Sequence, residues 1–200
     1  IAGGIAMYIV IYHVKAGDVA SGLVLNAMNG TGFAIVGFLG IFGLRWLALR
    51  FGKRQAMFCV LILTAVGGIS KWFIFTPEYP HLLLLDALLN GPVWVSLGVI
   101  VPSMIADLCD WDEHKFGERR EGIISSVFTW ITKFGTSFTF LVSGVALYFS
   151  GFDESLGANQ PEGTLTALRL FFVGASVLAP VLAILSFKLY GITEHRAYHI

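Results

Sequence analysis

The sequence predicts an all-α membrane protein, and three observations carry that expectation. Hydrophobic residues fill 56% of the 200 positions and charged residues only 13%, against about 25% charged in a soluble domain. So little charge cannot cover a water-facing surface, and the excess apolar area needs lipid as its solvent. The apolar residues fall into six runs, at 1–12, 19–44, 56–75, 82–107, 123–149 and 165–190, joined by short polar connections. Five of the runs are long enough, as helices, to cross a hydrocarbon core about 30 Å thick. In lipid a segment must satisfy its own backbone polar groups, and an α-helix does so.

Taken in order, the first run is shorter than the roughly 20 residues a span requires, so it reads as a truncated segment. The second holds Gly22, Gly30, Gly32, Gly37, Gly40 and Gly43, small residues that let membrane helices approach closely. Thr76-Pro-Glu-Tyr-Pro-His81 is a tight turn between the third and fourth runs. Pro92 and Pro102 interrupt the fourth run and Pro180 the sixth, where kinks are expected. Residues 150–163 form a longer loop rich in Gly, Asp, Glu and Asn.

Arg45, Arg50, Lys53, Arg54, Lys115, Arg119, Arg120, Lys188 and Arg196 fall on one set of connections. Only Lys15, Lys71 and Arg169 fall on the other, and the last two are expected to snorkel from segment ends. Nine basic residues against three make the first side, and the C-terminus with it, cytoplasmic. A net charge of zero gives no basic field for nucleic acid. Cys59 and Cys109 belong to no metal or redox motif and read as small buried hydrophobes.

Lys133 is the most informative residue. It stands ten positions after Ile123, about 15 Å along the fifth helix and near the bilayer centre. A lysine so deep is costly and faces a cavity or a charged partner. Thr129, Trp130, Thr136 and Ser137 lie three or four residues away, with Ser126 a turn further, making a polar stripe. A structural lysine paired with a carboxylate is the bland alternative, yet no acid of this chain lies at its depth. Asn29, with Asn26, makes a weaker patch that either lines the pathway or joins helices. Asp86 and Asn90 face a water-filled mouth or stand exposed at a helix start. Residues 107–122 read as a loop dense in both charge signs; Asp110, Asp112 and His114 could be metal ligands, but surface ion pairs are the commoner use. We expect no metal site and no cofactor.

The pattern Asp107-x-x-Asp110-Trp-x-Glu113-x-Lys115-x-Gly117-x-Arg119-Arg120-Glu121-Gly122, followed by Thr129 and Lys133, resembles the glycoside–pentoside–hexuronide:cation symporters of the melibiose permease type. These belong to the major facilitator superfamily. Gly43-Leu-Arg45, continuing to Arg50-Phe-Gly52-Lys53-Arg54, resembles the superfamily's cytoplasmic basic loop, with Leu49 where an Asp often stands. The resemblance implies that residues 1–200 are a C-terminal six-helix half built of two inverted three-helix units. It implies sodium- or proton-coupled symport of a sugar or glycoside by alternating access. The coupling cation would be bound mainly by an N-terminal six-helix half, the expected partner alongside membrane lipid. Lys133 and Thr129 match cavity residues of the family, and Trp130, Ser137 and Asn29 are added from the stripe and the patch. Asp107, Asp110, Glu113, Lys115, Arg119, Arg120 and Glu121 would form a cytoplasmic gate. Phe128 and Gly98 replace a glutamine and a sugar-facing tryptophan of the melibiose type, which argues against a galactoside. The expected location is a bacterial inner membrane.

A membrane-embedded enzyme would carry a His-Glu-x-x-His, paired-aspartate or Gly-x-Ser-x-Gly signature, and the sequence has none. A six-helix structural or assembly protein is the remaining alternative; it would have no need of a mid-membrane lysine on a polar stripe.

Overall fold

A computed structural model describes residues 2–161 and 163–187. They form seven α-helices: α1 (Ala2–Tyr8), α2 (Val19–Phe51), α3 (Lys53–Ile74), α4 (Leu85–Gly98), α5 (Ile100–Phe116), α6 (Glu121–Ser150) and α7 (Thr164–Phe187). A π-helical stretch, Ile9–Val14, prolongs α1, and short 3-10 turns at Pro80–Leu84 and Glu154–Leu156 precede α4 and α7. The last residues of the sixth run, together with Lys188, Arg196 and the C-terminus, lie outside the described residues.

The chain is an all-α, multi-pass membrane bundle. Val19–Phe51, Lys53–Ile74, Pro80–Phe116 and Thr164–Phe187 are each long and apolar enough to cross a bilayer. Among the described residues, four of the five runs expected to span are therefore met. Gly4–Val14 is too short. α6 has 30 residues, but Lys133 and its many hydroxyls lower its hydropathy.

Several boundaries differ from the apolar runs, because charge ends a hydrophobic stretch without ending a helix. α2 runs seven residues beyond Leu44, through Arg45 and Arg50, and stops at Gly52. Gly52 has φ 92°, a conformation that disfavours any side chain, and reverses the chain into α3. The charged stretch after Asp107 is mostly helix: α5 continues to Phe116 and ends on Gly117 at φ 71°. The fourth run is split at Val99, between Pro92 in α4 and Pro102 in α5. Asp18 starts α2 as its N-cap, accepting from the Ser21 amide at 3.1 Å and the Ser21 hydroxyl at 2.6 Å.

Glycines set the closest helix contacts. A methyl group at Gly68 of α3 would lie 2.6 Å from the Ser176 carbonyl oxygen of α7, and one at Gly67 would meet Asn90 of α4. Gly32 and Gly37 of α2 face Ala87 and Val95 of α4, while Gly91 faces Val36. Gly30 and Gly43 meet nothing within 4 Å. One apolar cluster, including Ile5, Ile9, Leu25, Phe75, Leu83, Ala146, Leu168 and Phe172, closes the end away from Arg50. A smaller one, Leu44, Ala56, Val60, Ile100 and Met104, lies towards the basic end. α6 joins the bundle through its last third, where Ser143, Ala146 and Ser150 are buried.

Three side chains depart from expectation. Lys71 does not snorkel: it is buried and paired with Asp86, because Asp86 stands just across the Thr76–His81 turn at the same height. Asp86 accordingly lies neither at a wet mouth nor exposed. Cys59 is exposed on α3, whereas Cys109 is buried. Lipid facing Cys59 accommodates a small apolar side chain as well as a protein core does.

Candidate functional site: a one-walled hollow on α6

An open hollow of ≈ 400 Å³ is lined by Ser125, Ser126, Thr129, Trp130 and Lys133. All five belong to α6, so the hollow has a single wall among the described residues. The hydroxyls of α6 between residues 125 and 143, together with Lys133, divide into two sets. Ser126, Thr132, Thr136, Thr139 and Ser143 each donate to the backbone carbonyl four residues back, at 2.6–3.0 Å. Such bonds satisfy a hydroxyl within its own helix. Ser125, Thr129, Lys133 and Ser137 have no hydrogen-bond or ion-pair partner among the described residues. Their spacing of four residues makes one slowly winding stripe along the helix. Unused donors in lipid are costly, so this stripe is a face that needs polar company.

Of the residues singled out in the sequence, Lys133, Thr129, Trp130 and Ser126 meet at the hollow. Ser137 lies on the same stripe, one turn beyond. Asn29 is elsewhere, buried on α2 with its Oδ1 unbonded.

The charged residues gather at the basic end. Lys53 Nζ lies 2.8 Å from both carboxylate oxygens of Asp107, which ties the start of α3 to α5. Arg119 contacts Glu121 at 3.2 Å and Glu113 at 3.9 Å, and Arg120 contacts Asp112 at 3.2 Å. Glu121 holds the Arg119 guanidinium above its usual pKa through their hydrogen bond and charge. Lys115 sits over the rings of Trp111 and Phe116, at 4.7 and 5.2 Å, rather than beside an acid. Among the described residues no three His, Cys, Asp or Glu side chains form a metal cluster; Asp112 is engaged by Arg120.

A third charged group, not evident from the sequence, lies at the opposite end. Lys71 donates to both oxygens of Asp86 at 2.7 and 2.8 Å, and Asn90 donates to the same carboxylate at 2.6 Å. The Phe75 and Phe172 rings face the ammonium at 5.6 and 5.1 Å. Nearby, Arg169 lies over Trp72 and donates to its carbonyl at 2.7 Å. Opposite charges flanking a tight interhelical turn were the available signal.

The described residues thus form a multi-pass helical membrane bundle with an unpaired lysine and free hydroxyls on one face of α6. Comparison with known sequences agrees: the profile of the MFS/sugar transport protein family matches residues 2–194. The chain belongs to that family, whose members are transport proteins and not enzymes. It is 26% identical over 193 residues to an uncharacterized symporter of Synechocystis sp., covering 90% of this chain and 34% of the relative. It is 26% identical over 168 residues to the isoprimeverose transporter of Lactiplantibacillus pentosus, covering 82% and 34%. It is 28% identical over 156 residues to the human sodium-dependent lysophosphatidylcholine symporter 1, covering 76% and 28%. The chain thus spans about a third of the length of these relatives. No solved structure gives a significant match.

Proposed function

We propose that this chain is the C-terminal six-helix half of a glycoside–pentoside–hexuronide:cation symporter. In this reading a sugar or glycoside is carried with sodium or a proton by alternating access. The observation that supports it best is the unpartnered stripe Ser125, Thr129, Lys133, Ser137 on α6. A second wall from an N-terminal six-helix half would close the hollow and bring a carboxylate to Lys133. Hydroxyls beside the Trp130 ring suit a sugar, which offers hydroxyls along its rim and apolar C–H faces. A structural six-helix protein would leave this stripe without a purpose. The basic end is then cytoplasmic, with the C-terminus inside and a bacterial inner membrane as the setting. Asp107, Asp110, Glu113, Lys115, Arg119, Arg120 and Glu121 form its gate, with Lys53 as the partner of Asp107 on the basic hairpin.

The test is uptake by the full-length protein in sealed proteoliposomes. A set of glycosides is offered under an inward sodium gradient, then under a proton gradient. Accumulation of a glycoside above its equilibrium level, abolished by the matching ionophore, is the expected result. Uptake of lysophosphatidylcholine but of no glycoside would replace the substrate class, and uptake indifferent to both gradients would remove the coupling.

A further inference from the structure

The α2–α3 hairpin carries three arginines that no carboxylate among the described residues contacts, while Asp110 and Glu118 at the same end are likewise without an ion-pair partner. Asp107 is engaged by Lys53, Asp112 by Arg120, and Glu113 and Glu121 by Arg119. Arg45, Arg50 and Arg54 have no carboxylate partner among the described residues. Arg50 instead packs its guanidinium over the rings of Trp46 and Phe51, at 5.3 and 5.6 Å. Both rings are exposed, and Leu49 beside them is 78% exposed.

An exposed Leu, Trp and Phe at the end of a membrane-spanning helix suit the interfacial layer, where such rings are enriched. A guanidinium held against them sits at headgroup depth. It needs a counter-ion, and its planar fork matches the two free oxygens of a phosphodiester. A soluble anion could meet the charge but would leave Leu49 and the rings uncovered. A phospholipid supplies both the anion and the apolar chains. We propose that Arg50, Trp46 and Phe51, flanked by Arg45 and Arg54, form a binding site for the headgroup of an anionic phospholipid in the leaflet at this end. The site stands independently of the transport reading.

Trp46 is its own reporter, because subtracting the emission of Trp46→Phe, which keeps a ring under Arg50, isolates its signal. The full-length protein is placed in bilayers containing chain-brominated phosphatidylglycerol or chain-brominated phosphatidylcholine as the quencher. Phosphatidylglycerol is expected to quench the Trp46 component at about fivefold lower mole fraction, as selective attraction to an anionic headgroup requires. The preference should vanish in Arg50→Gln and persist in part in Arg50→Lys. It should also vanish for the unmodified protein in about 0.5 M NaCl, which screens the attraction and decides the matter should Arg50→Gln fail to fold. Equal quenching by the two lipids, or a preference that survives both Arg50→Gln and salt, would overturn the site. Loss of the preference on adding millimolar inorganic phosphate would also overturn it, by showing a soluble-anion site.

Discussion

The Lys71 ammonium donates to both carboxylate oxygens of Asp86, and the pair is sealed between α3, α4 and α7 with only 6% and 3% of the two residues exposed. Removing one partner would leave a bare charge in an apolar site. Lys71→Met and Asp86→Leu are each expected to cost about 3–5 kcal/mol of unfolding free energy. The double variant should regain most of that loss, because two apolar side chains can fill the space. Denaturant unfolding in micelles measures all three. Single variants as stable as the parent would mean that water or another charge reaches the pair.

Gly68 tests the packing of α3 on α7. The 2.6 Å approach of a new methyl to the Ser176 carbonyl cannot be relieved by a side-chain rotation, because the obstacle is backbone. Gly68→Ala should destabilise by about 1–3 kcal/mol. Gly174→Ala on α7, where nothing lies within 4 Å, should be neutral or stabilise by up to about 1 kcal/mol. The same unfolding assay compares them, and a tolerated Gly68→Ala would show that α3 and α7 separate readily.

These two sites show what was legible in the sequence. The runs of apolar residues located the bundle, since lipid demands length and hydropathy of every span. They misplaced the ends at Phe51 and Phe116, because helical hydrogen bonding continues past the first charge until a glycine turns the chain. They hid Lys71, since a lysine near a segment end can equally reach water or fold back to an acid. The shared face of Thr129, Lys133 and Ser137 could be read from spacing alone. Which hydroxyls on α6 are already spent on carbonyls could not, because that depends on side-chain rotamers.

Ion pairs at the basic end are partly or fully exposed and individually weak, about 0–1 kcal/mol each, which suits contacts that form and break in a transport cycle. Arg119→Gln and Glu121→Gln are expected to slow transport more than they weaken sugar binding. Stopped-flow uptake set beside equilibrium binding separates the two quantities. An equal loss of both would take this region out of the gate.

Asp18 sets a pH dependence. The Ser21 hydroxyl, followed by the Ser21 amide, holds its carboxyl below the usual range. A depressed folded-state pKa adds stability that is fully present above the unfolded value, about 3.9, and is lost as pH falls through the folded value. The unfolding temperature of the parent should exceed that of Asp18→Ala above about pH 4, and the gap should close below it. A gap that stays constant with pH would mean that the cap acts without its charge.

Lys133 is the residue on which the transport reading turns. In the full-length protein, Lys133→Met keeps the length of the side chain and removes its charge. Gradient-driven uptake in proteoliposomes is the measurement, with membrane insertion checked alongside. Cation-coupled uptake is expected to collapse while the variant still reaches the membrane. Uptake and cation dependence that survive unchanged would make Lys133 a packing residue and contradict the assignment of the α6 stripe.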